Sequence, residues 1–349
     1  MNAKKYRSLI IGFLSVAFLG ITLFPGHTLA ASAAPSSGTV SPAPDGSPLA
    51  AHGNLHVEGA FLVDCQGNPY QLRGMSTHGI AWFPQYVSPE TFQTLRYDWN
   101  TNCIRLALYT DEYNGYCSGG NQEELKSLIK RGVDSATALG MYVIIDWHVL
   151  NDRDPNVHKE EALAFFREMS ALYKDHQNVL YEICNEPNSG VSWDSIQSYA
   201  REVIPAIRAN DSDAVVIVGT PTWSQDIDLA AAAPLEYDNI LYALHFYAAT
   251  HKDWLRQRLE ACASQGLPIF VSEFGTCDAS GNGGNDFGQA SQWLQLLDRH
   301  QISYCCWNLA NKAESSSVIS PDCSKISGWN PEDLSESGKW IFEYFRSKT

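Results

Sequence analysis

Basic side chains are scarce in this chain. Its 24 Lys and Arg stand against 39 Asp and Glu, a formal net charge of −15. Nucleic acids and anionic membrane surfaces need a basic footprint, so both are excluded as partners. No Cys-x-x-Cys pair occurs among the nine cysteines, at 65, 103, 117, 184, 262, 277, 305, 306 and 323, which argues against a zinc site of that kind. An odd count leaves at least one thiol unpaired, and spacing alone does not give a pairing. Cys184, Cys305 and Cys306 lie inside apolar runs and are expected to be buried thiols. No Gly-x-Gly-x-x-Gly follows the first apolar run, so a dinucleotide fingerprint is missing. Past residue 30 no apolar stretch is long enough to span a bilayer.

The first 30 residues have the character of a secretory signal. Lys4, Lys5 and Arg7 precede the apolar run SLIIGFLSVAFLGITLF, and small residues near Ala30 and Ala33 offer cleavage sites. A retained anchor is the alternative. Residues 31–52 are rich in Ser, Pro and Ala without periodicity, and are expected to form a flexible linker. Residues 53–349 are long enough for one sizeable catalytic domain. The expected product is a secreted, extracellular monomer with no membrane association after cleavage.

Apolar runs recur at 70–76, 102–108, 141–147, 179–184, 215–219, 240–246, 268–272 and 303–307. Their near-continuous apolar character suits strands covered on both faces. Stretches of helical period lie between them, as in 121–140, where Leu125, Leu128, Ile129 and Val133 share a stripe that Gly140 ends. Eight strands alternating with helices predict an α/β fold, a (β/α)8 barrel, with residues 54–66 as a small hairpin beneath it. An open doubly wound sheet is the structural alternative.

Polar residues stand at the ends of the predicted strands: Arg105, Asp146, His148, Asn185, Glu186, His245, Tyr247, Glu273 and Trp307. Buried polar groups without partners cost roughly 1–3 kcal/mol each, so such a set is expected to converge on itself and on a ligand. Glu186 and Glu273, across the barrel mouth from each other, form the pair that glycoside hydrolysis needs: an acid for the leaving oxygen and a second carboxylate as nucleophile or base.

Eight strings in order carry a resemblance: RGMSTHGIAWFP (73–84), CIRLALYT (103–110), VIIDWHVLNDRDPN (143–156), VLYEICNEPN (179–188), VIVGTPTWSQD (216–226), LHFYAATH (244–251), IFVSEFGT (269–276) and CWNLANKAESS (306–316). From about residue 54 onward the chain resembles the family 5 glycoside hydrolases, and within them the secreted bacterial endo-β-1,4-glucanases of the second subfamily. The resemblance implies a retaining double displacement on β-glucan with Glu186 as acid/base and Glu273 as nucleophile. It implies that Arg105, His148, Asn185, His245, Tyr247 and Trp307 line the catalytic subsite. By the same resemblance His78, Trp82, Tyr109 and Lys312 bind on the glycone side, with Glu314 beside Lys312. Trp223 floors a leaving-group subsite, and the Trp307–Asn308 peptide is cis. No cofactor or metal is implied. Cys184 and Phe274 depart from the family's usual Ala and Trp. Mannan, xyloglucan or mixed-linkage glucan are alternative substrates for the same machinery. A metal-dependent hydrolase built on Asp146, His148 and His245, and a non-catalytic sugar-binding barrel, are readings from other classes.

Overall fold

The computed structural model describes residues 42–348. The signal-sequence expectation, and residues 31–41 of the expected linker, lie outside them. The rest of that linker is ordered. Pro48–His52 form a helical turn, capped by the Ser47 side chain on the Ala50 N–H. Leu49 is buried, and its N–H donates to the Gly140 carbonyl at 2.9 Å. The Ser/Pro/Ala composition hides this because one leucine and a Ser-Pro cap suffice to dock a single turn. The flexible-linker expectation therefore fails for residues 48–52.

Strands β1 (His56–Glu58) and β2 (Phe61–Val63) pair antiparallel as a hairpin. Eight parallel strands then close a barrel: β3 (Arg73–Thr77), β4 (Cys103–Tyr109), β5 (Tyr142–His148), β6 (Val179–Glu182), β7 (Val216–Val218), β8 (Ile240–Tyr247), β9 (Ile269–Gly275) and β10 (Ser303–Leu309). The order around the barrel is β10-β3-β4-β5-β6-β7-β8-β9. Every predicted apolar run overlaps one of them. The open-sheet alternative is thereby removed.

Helices Gln122–Ala138, Lys159–Tyr173, Trp193–Arg208, Asp253–Ser264, Phe287–Arg299 and Glu336–Arg346 cover the outside. A further helix, Pro89–Tyr97, starts on the Ser88 cap with Pro89 in its first turn. Sequence periodicity missed it, being only nine residues long with a weak apolar stripe.

The strands divide their side chains by direction, as a period of two demands. On β5, Val143, Ile145 and Trp147 join the core under the helices, whereas Tyr142 and Ile144 point into the barrel. Leu180 of β6, Leu241 and Ala243 of β8, and Phe270 of β9 share that interior with Leu55 and Leu62 of the hairpin, which closes the lower end. Higher up, the same inward positions turn polar: Arg105, Asp146, His148, Glu182 and His245. The barrel interior is thus apolar below and polar above, on one continuous set of inward positions.

One site residue does not follow simple alternation. Phe270 faces inward, so an even step would bring in Ser272 and Phe274. The β8–β9 register shifts between the Ala243–Phe270 and His245–Glu273 pairs. That irregularity turns Phe274 to the outer core and lets Glu273 reach the interior beside Ser272.

Candidate active site

At the base of the polar layer sits Arg105, fully buried. Its Nε donates to Glu182 at 2.7 Å and a terminal nitrogen reaches the other Glu182 oxygen at 3.2 Å. It also donates to Glu273 at 3.2 Å and to the Asn185 side-chain oxygen at 2.6 Å, and lies 3.0 Å from Asp146. One guanidinium thus touches three carboxylates, a use that suits the fixed fork of arginine. Burial alone would raise the Glu182 carboxyl, but Arg105 and His245 outweigh it and hold it at about 2.

Glu273 is gripped at both oxygens, by Arg105 on one and by the Tyr247 hydroxyl on the other at 2.7 Å. Glu186 accepts from His245 Nδ1 at 2.9 Å. The other His245 nitrogen meets Ser272 Oγ at 2.9 Å, and Ser272 donates to Glu182 at 2.7 Å. Burial opposes a charge on His245, but its bonds to Glu182 and Glu186 and the nearby Glu273 prevail and raise it to about 9. One oxygen of Glu186, one of Glu273 and a His245 nitrogen all lie within 4.8 Å of one another. A cation held by these three groups would have to displace the proton His245 retains at neutral pH.

His148 is the opposite case. Burial and the neighbouring Arg105 push it down to about 3, so it is neutral. Its Nδ1 donates to Asp146 at 2.6 Å, leaving Nε2 to accept from Asn185 at 3.3 Å. Asp146 Oδ2 and His148 Nδ1 bond to each other and both His245 nitrogens meet protein partners, whereas Asp146 Oδ1 is buried without one.

Above this network lies a cleft of about 560 Å³. His78, Tyr109, His148, Glu186, Trp223, His245, Tyr247, Glu273, Trp307 and Lys312 line it, all of them site residues expected from the sequence. Three expected residues do not. Trp82 stands at the rim, stacked on Tyr109 with centroids 5.0 Å apart, its indole N–H on the Tyr113 carbonyl at 2.6 Å. Arg105 and Asn185 are fully buried. Both amide hydrogens of Asn185 are taken, by the Val149 carbonyl at 3.2 Å and by His148. Arg105 lies within β4 and Asn185 directly before Glu186, so both stand against the two carboxylates from the barrel side.

On one side of the cleft His78 Nδ1 accepts from the Gly79 N–H at 2.7 Å, so Nε2 carries the proton toward Glu314, 3.7 Å away. Lys312 pairs with Glu314 at 2.6 Å. Trp307 lies parallel to His148, centroids 5.2 Å apart, and its peptide to Asn308 is cis. On the other side Trp223 stands 43% exposed on a left-handed turn, with Thr222, Trp223 and Ser224 all at positive φ. Two bonds fix that turn beside Glu186: the Trp223 N–H to the Pro187 carbonyl at 3.0 Å, and Ser224 Oγ to the Asn185 carbonyl at 2.7 Å.

The family model for cellulase (glycosyl hydrolase family 5) matches residues 63–313. The chain belongs to glycoside hydrolase family 5. Among relatives in this family, endoglucanase A of Butyrivibrio fibrisolvens is 50% identical over 295 residues, covering 84% of this chain and 68% of that protein. Endoglucanase N of Pectobacterium atrosepticum is 47% identical over 301 residues, with 86% and 67% covered. Of solved structures, Cellulase Cel5C_n superposes with a TM-score of 0.84 at 46% identity, covering 87% of this chain and 95% of that one. A variant catalytic domain of Thermobifida fusca endoglucanase Cel5A, in complex with cellotetraose, gives 0.82 at 40% identity, with 86% and 100% covered.

Several residues of this family 5 site escaped the sequence reading. Glu182 sits inside VLYEIC, where the apolar neighbours masked it; a lone carboxylate in a buried strand was the available signal. Ser272 relays His245 to Glu182. His251 and Gln225 line the cleft and lie within the quoted strings, but no spacing marks them.

Proposed function

We propose that the chain hydrolyses internal β-1,4-glucosidic bonds of cellulose and related β-glucans, with Glu186 as acid/base and Glu273 as nucleophile of a retaining double displacement. The observation that carries this reading is the approach of the two carboxylates, one oxygen from each within 4.8 Å. Retention uses carboxyls ~5–5.5 Å apart; inversion needs ~6.5–9.5 Å to admit a water. Family membership and the endoglucanase relatives support the same substrate class.

A Glu273 oxygen attacks the anomeric carbon while the bond to the leaving oxygen breaks and that oxygen takes the proton of Glu186. Arg105 and Tyr247 orient the attacking carboxylate. In the second half Glu186 takes a proton from water, the water oxygen bonds to the anomeric carbon, and Glu273 departs. Microscopic reversibility requires this exchange of roles. His245 holds its proton against Glu186. Trp82 and Trp307 offer flat apolar faces to the glucose rings, while His78, Tyr109, Lys312 and Glu314 read hydroxyls on the glycone side. Trp223 receives the leaving portion.

Secretion belongs to the same reading, because an insoluble polymer must be met outside the cell. The charged start, apolar run and small residues of the first 30 positions support it. N-terminal sequencing of protein recovered from the medium tests it. Reducing ends released from carboxymethylcellulose, barley β-glucan and mannan test the substrate. The reading expects release from the two glucans above mannan; mannan in first place overturns the preference.

A further inference from the structure

Of the ten tryptophans only Trp223 and Trp254 are exposed. Trp223 belongs to the cleft, whereas Trp254 has no role in the account so far. It is the second residue of the helix Asp253–Ser264, at the mouth of the barrel, and half of its surface meets solvent. A single exposed tryptophan is unremarkable by itself. This one is held in place from two directions. His251, which lines the cleft, stands against it at a steep angle, ring centroids 5.9 Å apart. The Arg258 guanidinium lies over the indole, 5.7 Å from its centroid.

Arg258 is itself pinned. It donates to the carbonyl of Gln225, another cleft-lining residue, at 3.0 Å, pairs with Asp226, and approaches Asp228 at 3.2 Å. Gln225 follows Trp223 by two residues. A continuous path therefore runs from Trp223 through Gln225 and Arg258 to Trp254, and returns to the cleft through His251. These two ring contacts restrict the indole, which reduces the side-chain freedom to be lost on binding. A guanidinium and an imidazole flank a flat apolar ring, which is the pairing that a sugar with apolar faces and polar edges requires.

We propose that Trp254 is an outer sugar platform on the leaving-group side, taking a glucosyl unit beyond the one over Trp223. The proposal rests on the β-glucan reading above. It predicts a preference for chains long enough to reach past Trp223.

The test compares the full chain with Trp254→Ala and Trp254→Phe. The ratio of kcat/KM for cellohexaose to that for 4-nitrophenyl β-cellobioside, which carries no sugar on the leaving side, is expected to fall roughly fivefold or more in W254A and to recover in W254F. Cellohexaose labelled with 18O at its reducing end should shift its cleavage position in W254A. An unchanged ratio and cleavage position overturn the platform. So does an equal loss on both substrates without recovery in W254F, which marks a merely structural tryptophan. Retardation in a hydroxyethyl cellulose gel reads binding without turnover. A wild-type chain that is retarded but cleaves nothing overturns the reaction reading; weaker retardation of W254A still supports the platform, and equal retardation overturns it.

Discussion

The hydroxyl of Tyr247 donates to one oxygen of Glu273 at 2.7 Å, while Arg105 donates to the other at 3.2 Å. The carboxylate is thereby fixed in rotation as well as in position. Tyr247→Phe removes one of the two donors and leaves ring packing in place. Since hydrogen bonds to charged groups contribute ~1.5–3 kcal/mol, kcat/KM on soluble glucan should fall ~10- to 100-fold. The thermal midpoint should barely move. Steady-state kinetics beside a melting curve checks both, and a rate near wild type would show that Arg105 alone orients Glu273.

Glu182 supports the site without entering the cleft. It is the bidentate partner of the fully buried Arg105. Glu182→Gln keeps the shape and removes the charge, leaving Arg105 under-compensated inside the barrel. Breaking a buried pair this way costs about 3–5 kcal/mol. A chemical-denaturation midpoint should fall accordingly, and activity with it, because Arg105 also holds Glu273. Unaltered stability would mean that Asp146 and Glu273 suffice to balance the guanidinium.

The two buried histidines of the network titrate in opposite directions. His245 is raised from its ordinary 6.5 to about 9, burial being outweighed by Glu182, Glu186 and Glu273. Its contribution to stability is complete below pH 6.5 and is lost as pH rises through about 9. His148 is pushed from 6.5 down to about 3 by burial and Arg105, so its contribution is complete above pH 6.5 and is lost as pH falls toward 3. Unfolding free energy measured across this range should form a dome. His245→Gln should flatten the alkaline limb and spare the acid limb. Loss of both limbs, or of neither, would contradict the assignment.

Much of this molecule is readable in its amino acids, for identifiable reasons. Strands covered on both faces leave near-continuous apolar runs, so all eight barrel strands are visible. Polar side chains that end such runs, Glu186 and His148 among them, stand out against that background. Glu182 does not stand out, because Ile183 and Cys184 continue the apolar run beyond it. Glu273 is visible as a residue, but its inward direction is not, since it depends on the β8–β9 register shift. Arg105 and Asn185 are legible as polar residues in an apolar run, but their bond to each other is not, since it joins β4 to the residue before Glu186. Composition likewise misjudges Pro48–His52, where one buried leucine decides the outcome.

The central claim is that Glu273 becomes covalently bonded to the sugar. Incubation with a 2-deoxy-2-fluoro-cellobioside bearing a good leaving group, followed by mass spectrometry of the intact chain and of its peptides, tests this most directly. The account predicts one added fluorocellobiosyl unit per chain, carried by Glu273 in the segment IFVSEFGT. An adduct on another residue, or none while the native glucan is still cleaved, would contradict it.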